Sequence, residues 1–181
     1  MLNRMISLGI VVAAVHAFAA PSDSLPARAA DGDRASKNGK LSADLGGTKI
    51  VVTYGRPQVK GRKVWGGLIK GGEVWRAGAD EATVVAFDSP VLVEGQKLPA
   101  GAYAFFVKPG KDPAKDQWAI IFNKTVKQWG AYSYDSKQDA LVVKVTPKAA
   151  EMTEALMYEI QGSALVLRFE NLAVPVQVTK T

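Results

Sequence analysis

Residues 156–169, LMYEIQGSALVLRF, decide the fold class. Leu156 to Ile160 and Leu165 to Phe169 are two apolar-rich runs, and Gln161-Gly162-Ser163-Ala164 between them is a hairpin signal. Successive side chains of a strand point to opposite faces. Leu165, Leu167 and Phe169 therefore share a core-facing side, with Arg168 and Glu170 outward.

The flanking sequence repeats this pattern of short apolar runs broken by turns. Downstream, Ala173 to Val178 closes the chain, and Pro175 places that strand at a sheet edge. Immediately upstream, Lys148 to Ala155 reads as a brief helical turn. Further strands are expected at Lys49 to Tyr54, Thr83 to Phe87, Val91 to Val93, Ala102 to Val107, Trp118 to Phe122 and Leu141 to Val145. Asp88-Ser89-Pro90 and Leu98-Pro99-Ala100-Gly101 mark turns between them. In the strand at Ala102, the heavy side chains Tyr103, Phe105 and Val107 share one face. Trp118 alternates within its strand and belongs to the core. About eight to ten short strands without a long helix predict an all-β domain. The expected architecture is an antiparallel, jelly-roll-like β-sandwich.

The N-terminus carries a different signal. Residues 1–19 read as a secretory signal peptide: Arg4, an apolar run from Ile6, and the small-x-small site Ala17-Phe18-Ala19. The apolar run is shorter than a bilayer span requires. An exported protein is expected, periplasmic or secreted, with no stable membrane anchor after cleavage. Residues 20–40 are poor in bulky apolar side chains and read as a flexible tail, with a single domain over residues 41–181.

Composition then restricts the chemistry. The chain has no Cys, and its one His, His16, lies in the signal peptide. Ser-His-Asp and Cys-His nucleophile systems are excluded, as are His or Cys metal sites and disulfides. No cofactor and no metal are expected. Asp112 and Asp116 match no EF-hand spacing, and Gly66-Gly67 and Gly71-Gly72 lack the Gly-Lys-Ser/Thr ending of a phosphate-binding loop. The formal net charge of +6 falls by one with Arg4. This modest excess fits ordinary solubility, and no reader motif for nucleic acid is present.

The candidate site is the stretch between the first two strands, Tyr54 to Thr83. It holds two of the four Trp, three Arg and seven Gly without a strand or helix period. Loops of this length in compact domains are usually functional or disordered, and two Trp argue against disorder. Arg56, Arg62, Lys63 and Arg76 offer charge-assisted hydrogen bonds to carboxylate or phosphate. The same Arg residues also suit structural pairing with Glu73, Asp80 or Glu81. Trp65, Trp75 and Trp129, with Tyr54 and Tyr132, are candidate stacking surfaces or core plugs. Glu73, Asp80 and Glu81 are candidate acid–base groups. Adjacent Asp80 and Glu81 would face opposite ways, which weakens them as a pair.

Read together, these residues resemble the bacterial family called domain of unknown function 2911. The resemblance rests on Val52–Pro57, Lys60–Lys63, Trp65–Leu68, Val74–Thr83, Leu98–Tyr103, Phe122–Lys124 and Gln128–Gly130, in that order. It spans roughly residues 41 to 178. It implies exported proteins of unknown activity and supplies no catalytic residue.

The leading expectation is a non-catalytic binding module for a polar or anionic small molecule, or a glycan. Its candidate ligand-binding residues are Tyr54, Arg56, Arg62, Trp65, Trp75, Arg76, Glu81 and Trp129. A metal-independent carbohydrate hydrolase or lyase using Glu/Asp and Arg, and a structural envelope protein, stand as alternatives.

Overall fold

The computed structural model describes residues 25–181. The expected signal peptide, residues 1–19, lies outside the described residues.

Among the described residues, ten strands form two antiparallel sheets. They are β1 (Lys37–Asp44), β2 (Lys49–Arg56), β3 (Thr83–Phe87), β4 (Val91–Val93), β5 (Gln96–Leu98), β6 (Gly101–Lys108), β7 (Trp118–Asn123), β8 (Asp139–Val145), β9 (Lys148–Gln161) and β10 (Ala164–Lys180). One sheet has the order β1-β2-β3-β6-β7-β8, the other β5-β4-β10-β9. The first sheet departs from sequence order only where the β4–β5 hairpin leaves for the second. The two sheets pack as a sandwich that does not close into a barrel.

The core follows from strand alternation. Val52, Tyr54, Val85, Phe105, Val107, Trp118, Ile120 and Phe122 come from the first sheet, and Leu156, Tyr158, Leu165, Leu167, Phe169 and Val176 from the second. All are buried. Their burial, at about 25 cal/mol per Å2 of apolar surface, is the dominant stabilising term. Rings meet edge to face across the interface: Tyr54 and Tyr158 have centroids 4.7 Å apart, Phe105 and Tyr158 6.1 Å. A smaller cluster of Ala82, Ala104, Phe106 and Ile121 forms on the other side of the first sheet. Val74, Ala131 and Tyr134 pack against it.

The hairpin at 156–169 has the expected register, with Leu165 opposite Ile160 and Ala164 opposite Gln161. Gly162 takes φ +59° in its two-residue turn, where a side chain would be strained. Both strands run much longer than expected. Lys148 to Ala155 is not a helical turn but the first half of β9, paired through Ala149 with Leu172 and through Lys148 with Ala173. Nor does Pro175 mark an edge: β10 lies inside its sheet. The proline falls between two paired runs, one with β9 ending at Ala173 and one with β4 beginning at Val178, so its missing N–H interrupts neither.

The N-terminal boundary also differs. The first strand begins at Lys37, four residues before Leu41, and pairs with β2 from Lys37 opposite Arg56. Residues 25–36 carry no strand or helix, yet Arg28 and Arg34 fix them to the body of the domain through Glu81.

Candidate functional site

The long loop divides into two halves with different jobs. Its first half lies against the β9–β10 hairpin. Val59 N–H donates to the Glu154 carbonyl and Lys60 N–H to Glu154 Oε1, while Leu156 N–H donates to the Pro57 carbonyl. Trp65 then turns inward. It is 6 % exposed, and its Nε1–H donates to the Phe169 carbonyl at 3.0 Å. Its ring meets Trp118 of the first sheet and Phe169 of the second edge to face. Trp65 thus bridges both sheets as a plug. A register shift between Arg168 and Glu170 leaves Glu170 with φ +53° and brings its carboxylate to the N–H groups of Val64 and Trp65.

The second half returns along the first sheet. Trp75 exchanges both backbone hydrogen bonds with Val107, at 2.8 and 2.9 Å. Ala77 and Asp80 follow with φ +51° and +61°, a conformation that L-residues adopt at a cost. The buried Ala77 carbonyl accepts from Tyr158 Oη at 2.7 Å and Thr83 Oγ1 at 2.9 Å, and these bonds hold the strained turn in place. Complete burial pushes the Tyr158 phenol well above its ordinary pKa, so it remains a donor.

Between the two halves lies a cavity of about 450 Å3. Trp75 forms one wall, its indole stacked on Phe169 at 16° between planes. Lys60, Arg62, Lys70 and Arg76 supply four cations to the lining, against the two carboxylates Glu73 and Asp80. Arg76 Nε is buried and has no hydrogen-bond partner among the described residues; Asp80 Oδ2 is in the same condition. Burial lowers the Arg76 pKa, with Asp80 opposing the shift. Asp80 Oδ2 also lies 3.6 Å from Arg34 Nη1, so its charge is partly compensated.

Arg34 reaches the carboxylates of both Asp80 and Glu81, yet the two residues line different cavities. Asp80 lines this cavity, whereas Glu81 lines a second one of about 490 Å3 on the outer side of the first sheet. Arg34 binds Glu81 with two hydrogen bonds of 2.5 and 2.7 Å, and Arg28 Nη2 lies 3.0 Å from the same carboxylate. The Arg34 bonds hold the Glu81 carboxyl down to about 2. Burial opposes that shift, while backbone N–H donors, Ala29 among them, and the Arg28 charge assist it. Arg28 itself is a keystone. Its Nε donates to Asn38, Nη1 to the carbonyls of Glu81 and Ala82, and Nη2 to that of Ala79.

The eight candidate residues therefore separate. Arg62, Trp75 and Arg76 share the first cavity, and Glu81 and Trp129 the second. Tyr54 and Trp65 are core. Arg56 is exposed, lines neither cavity, and donates through Nε to the Leu156 carbonyl at 3.4 Å. Of the acid–base candidates, Glu73 is exposed at the first cavity and Glu81 is engaged by two guanidinium groups in the second. Among the described residues no group of three or more His, Cys, Asp or Glu is placed to hold a metal ion. Lys60 and Lys70 complete the first cavity, and Arg28 and Arg34 the ion-pair cluster. Sequence reading passed over these four, because an isolated Lys in a Gly-rich loop and an Arg in an Ala-rich tail carry no period that marks contact.

No curated protein and no solved structure matches the chain. The family model for a protein of unknown function (DUF2911) matches residues 36–178. That span takes in both sheets and both halves of the loop, and the chain belongs to this family.

Proposed function

We propose that this is an exported, non-catalytic binding module, and that the cavity between the halves of the long loop receives a small polar, anionic ligand. The observation that carries this reading is the buried, unpartnered Nε of Arg76 in a cavity with a cationic lining and an indole wall. A buried guanidinium N–H without an acceptor costs free energy that a carboxylate or phosphate oxygen restores through a charge-assisted bond. Lys60 and Lys70, both exposed, add attraction without fixing geometry, and Arg62, whose Nε and Nη2 already donate to the Val59 and Gln58 carbonyls, adds its charge. Trp75 gives the ligand an apolar face to lie against. The volume suits a single small molecule.

Isothermal titration of the mature protein with citrate, glucuronate and glucose 6-phosphate tests this. At least one probe binds, affinity falls as salt rises, and Arg76→Gln weakens binding by about tenfold or more. Absence of binding by all three, or undiminished binding by a folded Arg76→Gln protein, refutes the reading.

A further inference from the structure

The second cavity differs from the first in its charge balance. Glu81 is spent on Arg28 and Arg34, and Arg28 Nε, Nη1 and Nη2 are all engaged with protein acceptors. The buried part of the wall therefore offers no free charge, and the one charge in the lining left unpaired among the described residues is that of Lys127, an exposed side chain. The rest of the lining is largely apolar, with Ala82, Val84 and Val126 on one side and Pro26 and Ala27 of the N-terminal segment on the other.

Over this cavity stands Trp129, 56 % exposed. Its exposure is not slack, because the backbone beneath it is fixed. Trp129 bridges Glu81, Ala82 N–H donates to the Gln128 carbonyl at 3.0 Å, and Gly130 N–H donates to the Asp80 carbonyl at 3.0 Å. An indole held open on a rigid backbone is a preorganised stacking surface. Two polar atoms in the lining are also unspent. Thr53 Oγ1 and Gln128 Oε1 are buried with no hydrogen-bond partner among the described residues. Gln128 Nε2 already donates to the Thr125 carbonyl, which fixes the amide and leaves its oxygen to accept.

We propose that this cavity is a second, separate binding site, for a neutral saccharide. The C–H face of a pyranose ring stacks on Trp129. Its hydroxyl groups donate to Gln128 Oε1 and exchange hydrogen bonds with Thr53 Oγ1. An uncharged ligand matches a wall whose buried charges are mutually satisfied and whose one unpaired cation is the exposed Lys127, in contrast to the four cations of the first cavity. The site also needs the N-terminal segment in place, since Pro26 and Ala27 form one of its sides.

The test uses maltotriose, cellotriose and the N-acetylglucosamine trimer as probes, followed by tryptophan fluorescence and by the indole N–H resonances of the full mature protein. One probe binds with a Kd of about 0.1–5 mM and shifts the Trp129 resonance. Trp129→Ala weakens it by about tenfold or more, Thr53→Val by about threefold to tenfold, and Arg76→Gln leaves it unchanged. Should Trp129→Ala fail to fold, the Trp129 resonance of the wild type and the Thr53→Val variant decide. The proposal is overturned if no trimer moves that resonance at about 10 mM, a range in which even weak binding registers. Undiminished affinity in the folded Trp129→Ala protein overturns it equally. Loss of anion binding in Arg76→Gln with trimer binding intact separates this site from the first.

Discussion

Replacing Glu81 by Gln removes one charge from a cluster that ties the N-terminal segment to the loop. The carboxyl falls from 4.5 to about 2 in the folded protein. By linkage, a depression of that size corresponds to about 3 kcal/mol of stability at neutral pH. The Glu81 side chain is 24 % exposed and its partners 8 % and 15 %, so solvent screens part of this, and about 1.5–2.5 kcal/mol is the expected loss. For a domain of this size that is a fall in Tm of about 4–8 °C. The pH dependence fixes the cause. Because the folded pKa is depressed, the contribution is complete above pH 4.5, declines as pH falls toward about 2, and is gone below that. Thermal denaturation followed by circular dichroism at steps from pH 7 to pH 2 should show Glu81→Gln well below wild type at neutral pH. The two curves should converge at the acid end. A variant within about 1 °C of wild type at pH 7, or one with the same acid slope, refutes the reasoning.

Three further substitutions probe the parts around the cavities. Trp65→Ala empties a site between both sheets and should cost about 3–5 kcal/mol in urea denaturation; loss of anion binding without loss of stability would instead make Trp65 a ligand contact. Tyr158→Phe removes the phenol that holds the Ala77 carbonyl and should cost about 1–2 kcal/mol by the same assay. Gly55→Ala would drive its Cβ into the Ala79 carbonyl and to 3.0 Å from Arg28 Nη2, displacing the keystone guanidinium. Native-state trypsin should then cut after Arg28 or Arg34 faster than in the wild type, whereas equal rates would mean that the segment is held by something else.

The features legible in sequence are those carried by local period and turn chemistry. The hairpin at 156–169 follows from alternation about a Gly-containing turn, and the strands Thr83–Phe87 and Val91–Val93 from short apolar runs on either side of Asp88-Ser89-Pro90. The misread places are those where distant pairing overrides local preference. Lys148–Ala155 is rich in Ala, Glu and Met, good helix formers, yet its partner strand β10 holds it extended. β1, KNGKLSAD, lacks β-branched residues and exists through its pairing with β2. Arg28 and Arg34 meet Glu81 across about fifty residues, a contact that an Ala-rich tail does not announce. In the loop, residue types identified the chemistry on offer but not its division. Two Trp ten positions apart look alike in sequence, and only the third dimension sends Trp65 to the core and Trp75 to a cavity wall.

The separation of Trp75 and Arg76 at the cavity from Trp65 in the core can be read in one spectrum. Citrate, glucuronate and glucose 6-phosphate are titrated into 15N-labelled protein while the indole N–H groups of all four Trp and the Arg76 Nε–H are followed. The expected result is that an anion moves Trp75 and Arg76 together, while Trp65 and Trp118, buried and bonded to the carbonyls of Phe169 and Pro113, stay fixed. Shifts of Trp65 as large as those of Trp75, or an Arg76 resonance that no anion moves, would contradict it.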